Sequence, residues 1–164
     1  MAWSFLWLVL LATCLVLVLG ALLTRKTFHV EVMIAAPPQA VWDVLMETAA
    51  YPEWNPTFVK VEGEYAEGAK LQNFVRDPDG KLLEMTAKVT TLDPPRVLRQ
   101  VGGIPGVLSF DHRWVLEPTA AGTRVTQHEV DRGIGLWFWN SSWIEPAYDA
   151  TNAALKRRVL ATTQ

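Results

Sequence analysis

The 164-residue sequence has one cysteine, three histidines and a formal net charge of −2. The lone cysteine, Cys14, lies in an apolar stretch, so no disulfide can form within the rest of the chain. A thiolate metal site and a catalytic cysteine are excluded there as well. His29, His112 and His128 have no metal-ligand spacing, and no metal or cofactor is expected. Gly102-Gly103 runs into Ile104-Pro105-Gly106 with no lysine, so there is no phosphate loop, and no nucleophile elbow or ordered triad is present. No block of cations exists, which argues against nucleic acid as a partner.

Charge is missing most conspicuously from residues 1–24, where 20 of 24 side chains are apolar. The run from Ala2 to Leu23 spans about 33 Å as a helix, enough for a hydrocarbon core. A secretory signal would carry a basic start, a shorter apolar centre and a small-residue cleavage site. Leu11-Ala12-Thr13-Cys14 faintly matches a lipoprotein cleavage box, but the apolar run continues to Leu23. Trp3 and Trp7 suit an interfacial aromatic belt, and Arg25-Lys26 stop the run at its other end. The expectation is a single-pass anchor over 1–24, held in the membrane through residues 2–23. By the positive-inside rule it is N-out, with a cytoplasmic domain over 27–162. Cleavage of the run, with export of the domain, is the alternative.

Beyond the run, composition is that of an ordinary globular domain. Alternation predicts a strand over Thr27–Ala35, and Pro37-Pro38 opens a helix carrying Val41, Trp42, Leu45 and Met46. Tyr51-Pro52-Glu53-Trp54-Asn55-Pro56 reads as a turn-rich break. Further strands are expected at Phe58–Tyr65, Lys70–Arg76, Leu82–Leu92, Val97–Val101, Leu108–Glu117 and Thr123–Val130. Gly102–Gly106 is expected as a flexible interruption. From about Gly135 the chain should turn helical, with Trp137, Ile144, Tyr148, Leu155 and Val159 near one stripe. Pro146 should kink that helix, and Lys156-Arg157-Arg158 should occupy its last turn. One or two short helices inside a long antiparallel run, with a helix at the end, give an α+β class.

The final hairpin admits two registers. A two-residue loop at Ala120-Ala121 sets Leu116 opposite Val125, Trp114 opposite Gln127 and His112 opposite Glu129. It also places Glu117 across from Arg124, a favourable charge pair. A three-residue loop closed by Gly122 moves the partners by one, bringing Val130 opposite His112 and His128 opposite Trp114. In the first register an inward His112–Glu129 pair beside Trp114, Gln127 and Phe110 can hold the polar group of an apolar ligand, or move a proton. Trp42 reads as packing between helix and sheet, with ligand contact as the alternative. Trp54 and Asn55 read as a core plug and a turn cap. Trp137, Phe138, Trp139 and Trp143 cannot all share one helical face, so some should form an exposed, membrane-touching or cavity-gating rim.

Several segments are similar to the START-like (SRPBCC) superfamily of helix-grip folds, which includes birch-pollen-allergen-like and polyketide cyclase/dehydrase-type proteins. They are Ile34–Trp42, Tyr51–Pro56, Phe110–Trp114 with Leu116-Glu117-Pro118, and Gly122–Glu129. The resemblance covers roughly Phe28 to Val159. It implies a curved antiparallel sheet around a long C-terminal helix, enclosing a cavity for lipids, polyketides or other apolar molecules. The expected function is a membrane-anchored module binding a hydrophobic small molecule or lipid, with His112, Trp114, Gln127, Glu129, Phe110, Trp42, Trp137 and Tyr148 as ligand-binding candidates. A cyclase or dehydratase using His112 and Glu129, and a ligand-free interaction module at the membrane, are the alternatives.

Overall fold

In a computed structural model, described for residues 2–163, seven strands form one antiparallel sheet ordered β1-β7-β6-β5-β4-β3-β2. The first helix, α1 (Ala2–Leu23), passes through Thr24 directly into β1 (Arg25–Ile34). Phe28, Val30 and Ile34 of β1 are buried, as its alternation predicts. Pro37 and Pro38 start α2 (Pro38–Met46), whose Val41, Trp42, Val44 and Leu45 are buried. The expected break after it is itself helical: a 3-10 turn at Thr48–Ala50, then α3 (Tyr51–Trp54). Pro52 is tolerated there because an opening helical position lacks an amide partner anyway.

The remaining strands are β2 (Phe58–Glu62), β3 (Lys70–Arg76), β4 (Leu82–Asp93), β5 (Val97–Ile104), β6 (Leu108–Thr119) and β7 (Gly122–Arg132). β5 runs straight through Gly102 and Gly103, which pair with Phe110 and Ser109, instead of breaking there. A Cβ on Gly102 would come within 2.5 Å of the Phe110 ring, so glycine lets that ring lie across the strand.

The last helix begins later than its periodicity suggests. A 3-10 turn, Ile134–Trp137, is followed by irregular chain, and α4 spans Ile144–Thr162. Pro146 falls in the first turn of α4, where its missing N–H costs no helical bond, so the helix is one unbroken rod. Because α4 continues to Thr162, Lys156-Arg157-Arg158 precede its last turn, and Arg158 pairs with Glu53 at 3.0 Å.

α4 packs across the curled sheet beside β1 and α2. Leu155 and Val159 join Val41, Trp42, Leu45, Leu98, Trp114 and Leu116 in the main core. Ile144 and Tyr148 form a second cluster with Phe28 and Val30. Glu145 Oε1 accepts the backbone N–H of His29 at 3.1 Å, so the helix also covers part of the open edge of β1. The side chains of α1 stay exposed along nearly all of its length, and the segment Phe5–Leu23 is long and apolar enough to cross a membrane.

Candidate functional site

The hairpin adopts the two-residue loop: Thr119 pairs with Gly122, and His112 lies opposite Glu129. Gly122 has φ +123°, a conformation that glycine adopts without strain. Glu117 and Arg124 pair across the strands at 3.5 Å. This register turns Phe110, His112, Trp114 and Leu116 of β6 toward α4, together with Val125, Gln127, Glu129 and Asp131 of β7.

A cavity of about 220 Å³ lies between the sheet and the start of α4. Its wall is mostly apolar, with Phe58, Val75, Leu83, Met85, Phe110 and Trp139 prominent. The ionisable groups in that wall are Glu129, Asp131 and Tyr148. The Tyr148 hydroxyl donates to Glu129 Oε2 at 2.7 Å. Asp131 Oδ1 is buried with no hydrogen-bond partner. Burial raises the pKa of Glu129, and the adjacent Asp131 charge raises it further. Burial also raises Asp131, opposed by its hydrogen bond with Glu129 and by the nearby Lys26 ammonium. Two carboxyls held this way in an apolar wall favour sharing one proton near neutral pH. The Tyr148 phenol is driven far up, first by burial and then by Glu129, so it stays a neutral donor.

A second polar group underlies this wall. His112 Nε2 donates to Gln127 Oε1 at 3.3 Å, and Gln127 Nε2 donates to Asn152 Oδ1 at 2.8 Å and to the Tyr148 carbonyl at 3.2 Å. Burial pushes the His112 pKa down to about 4, so the ring is neutral. It packs against Tyr148 at 5.2 Å and Phe58 at 5.9 Å between centroids. This network fixes the tilt of α4 on the sheet, and with it the position of Tyr148.

Of the residues singled out in the sequence, Phe110, Glu129 and Tyr148 meet in the cavity wall. His112 and Gln127 sit behind it, and the side-chain partners that lie closest to Glu129 are Tyr148 and Asp131 rather than His112. Trp114 and Trp42 belong to the main core. Trp137 lies outside the cavity and precedes α4, its Nε1 donating to Thr24 Oγ1 at 2.8 Å beside α1. Trp54 packs against the main core, and Asn55 Oδ1 accepts the backbone N–H groups of Thr57 and Phe58 at 3.0 and 2.8 Å. Trp139 and Trp143 line the cavity edge-to-face, 6.3 Å apart.

Asp131 was missed because the expected strand stopped at Val130; the alternation that selects Gln127 and Glu129 selects Asp131 next. Leu83 and Met85 carry no signal beyond strand alternation. Among the described residues no group of three His, Cys, Asp or Glu is placed to hold a metal.

A search of curated protein sequences finds no match. Among solved structures, the Zhui aromatase/cyclase from Streptomyces sp. R1128 superposes with a TM-score of 0.70 at 20% identity, covering 86% of this chain and 97% of that one. A protein from Rhodobacter sphaeroides gives 0.67 at 17% identity, with coverages of 85% and 99%. Ara h 8.0201 gives 0.64 at 17% identity, with 84% and 99%. These likenesses show the helix-grip fold expected from the sequence. The model of one family, polyketide cyclase / dehydrase and lipid transport, matches residues 25–160, and the chain belongs to that family.

Proposed function

We propose that this protein is a membrane-anchored module that takes a hydrophobic small molecule or lipid into the cavity beneath α4. The observation that carries the reading is the cavity itself: apolar over most of its wall, with a carboxyl pair and a phenol as its ionisable groups. Apolar burial supplies affinity, roughly 25 cal/mol per Å² before ordering costs. Glu129, Asp131 and Tyr148 orient the polar group of the ligand. Asp131 Oδ1 has no protein partner, so a ligand hydroxyl can donate to it and complete the site. The exposed apolar length of α1 supports insertion in a bilayer, and Arg25-Lys26 at its exit support an N-out orientation with a cytoplasmic domain. In this reading residues 1–24 are the anchor and 27–162 the binding domain, and the tether concentrates the module where apolar ligands reside.

Native mass spectrometry of the full chain extracted in mild detergent tests the reading. A lipid-sized adduct that disappears in a cavity-filled variant supports it. An adduct-free protein that also fails to take up an apolar fluorescent probe overturns it.

The carboxyl pair favours a second reading, a dehydratase- or cyclase-type enzyme. A protonated carboxyl can give its proton to a departing hydroxyl while the ionised partner takes one from the neighbouring carbon, so that water leaves. In this arrangement Asp131 stands where His112 was expected to act. Turnover of a β-hydroxy carbonyl compound that stops in Asp131→Asn and Glu129→Gln would select this reading over simple binding.

A further inference from the structure

The chain gives α1 no slack. Only Thr24 separates it from β1, and the Thr24 carbonyl accepts the Gly133 N–H at 3.1 Å. Two other segments lie alongside the last turn of α1. A Cβ on Gly20 would come within 2.5 Å of the Trp137 ring and 3.0 Å of Ile134, so the indole occupies the notch that Gly20 leaves. A Cβ on Gly106, in the β5–β6 turn, would lie 3.4 Å from Ala21 Cβ. The two segments are one rigid piece, since Ile134 N–H donates to the Gly106 carbonyl at 3.2 Å and Gly135 N–H to that of Val107 at 2.7 Å.

This piece is unusually apolar for a surface. Beyond α1, the large hydrophobic side chains exposed among the described residues are Met33, Leu82, Ile104, Val107, Trp137 and Phe138. Four of these six belong to it: Ile104 is 64% exposed, Val107 49%, Trp137 48% and Phe138 86%. Residues 20–24 cover about 6 Å of helix, so the piece sits at the depth of the last apolar turn. Whatever medium surrounds Gly20 to Leu23 reaches Trp137 and Ile104 too. Just beyond, Arg25 and Arg132 pair across β1 and β7 with both side chains exposed, at the height where phosphates follow acyl chains. Val107 is followed by Leu108, and Phe138 by Trp139, and both followers line the cavity.

We infer that the face formed by the β5–β6 turn, Trp137 and Phe138 rests in the headgroup and upper acyl layer of a phospholipid bilayer, with the Leu108–Trp139 wall of the cavity directly above it. This rests on the anchor reading of α1. It adds that the domain lies down on the membrane in one orientation, so that a ligand passes between acyl chains and cavity without crossing open water. Tryptophan suits such a layer through its apolar body and polar N–H, and Ile104 and Phe138 gain by leaving water.

Single-cysteine labelling of the full chain in phosphatidylcholine vesicles tests it. An environment-sensitive fluorophore is placed on native Cys14 and, in a Cys14→Ser background, at Ile104→Cys, Phe138→Cys and Ala120→Cys, the last in the β6–β7 turn at the opposite end of the sheet. Lipids carrying a quencher high on the acyl chain are included. The expected result is a blue-shifted, quenched signal at 14, 104 and 138, and an unquenched, water-like signal at 120. A dry Cys14 with water-like 104 and 138 overturns the docking face and leaves the anchor standing. A water-like Cys14 overturns both. All three introduced positions are exposed, so the labels leave the core intact.

Discussion

The Tyr148 hydroxyl and Glu129 Oε2, 2.7 Å apart, join the middle of β7 to the first half of α4 at the cavity wall. Because this bond favours the ionised carboxylate, it restrains the rise in pKa that burial imposes on Glu129. Tyr148→Phe removes the donor and little volume. The expected result is a loss of about 1–3 kcal/mol in urea denaturation, the usual cost of unpairing a buried group, together with a further upward shift of Glu129. Carbon-detected NMR titration of the carboxyls reads the second effect, and a Glu129 titration that stays put or moves down would contradict it.

Stability should fall as pH rises. Glu129 and Asp131 are raised in the folded state, so the native form holds more protons than the unfolded form above the ordinary carboxylate value of about 4.3. Their contribution is complete below that value and is lost as pH climbs through the raised folded values, at ~1.4 kcal/mol per unit of separation. Melting temperature should therefore decline from pH 6 to pH 9. Glu129→Gln, which keeps an acceptor for Tyr148, should flatten that decline and melt above the wild type at pH 9.

His112 works in the opposite direction. Its folded value near 4 lies below the unfolded value of about 6.5, so the unfolded chain takes up the proton first as pH falls. Stability on this account is complete above about pH 6.5 and is lost toward pH 4. The C2 proton of His112 should show no titration in NMR above pH 5, and a midpoint near 6.5 would mean that the ring is solvated.

Filling the cavity separates binding from folding. Leu83 lines it from β4 and is half-buried, so Leu83→Trp can place an indole in the space without breaking the main core. Uptake of an apolar fluorescent probe should weaken at least tenfold with the melting temperature within a few degrees of wild type. Unchanged uptake would move the site elsewhere.

Trp42 provides the contrasting case. It is 4% exposed in the main core, away from the cavity wall, so Trp42→Ala should cost about 3–5 kcal/mol. Probe affinity of the protein that remains folded should be unchanged; a selective loss of affinity would make Trp42 part of the site.

The sheet was legible from the sequence because strand alternation and turn chemistry are local. Asp77 to Gly80 and Ala120-Ala121 mark hairpins by their own residues, but Gly122 left two registers open in the second, and the folded hairpin selects the one that sets His112 opposite Glu129. What periodicity could not locate was the onset of α4. Trp137 matches the stripe by spacing alone, yet its indole is committed to Gly20 and Thr24, more than a hundred positions away in the chain. Asp131 escaped for a related reason: a carboxylate near a strand end looks solvated, and only the packing of α4 and the aromatic wall around it shows that it is buried. The membrane-length helix was plain from composition. Phe138 stood out within the aromatic cluster at 137–143, but which members of that cluster are exposed, and that Ile104 joins them, follows only from neighbours the fold brings together.

One residue of connection between α1 and β1 makes the molecule a lever rather than a tethered ball. The backbone bond from Gly133 to Thr24 and the indole seated at Gly20 brace that joint from a second side. A tilt of the helix is then a tilt of the whole sheet, and a rotation of the helix about its axis swings the cavity by the same angle. Inserting a few flexible residues at Thr24 would keep every side chain of the pocket and abolish that mechanical coupling. The orientation of the pocket is thus encoded at the joint, in residues that never touch what the pocket holds.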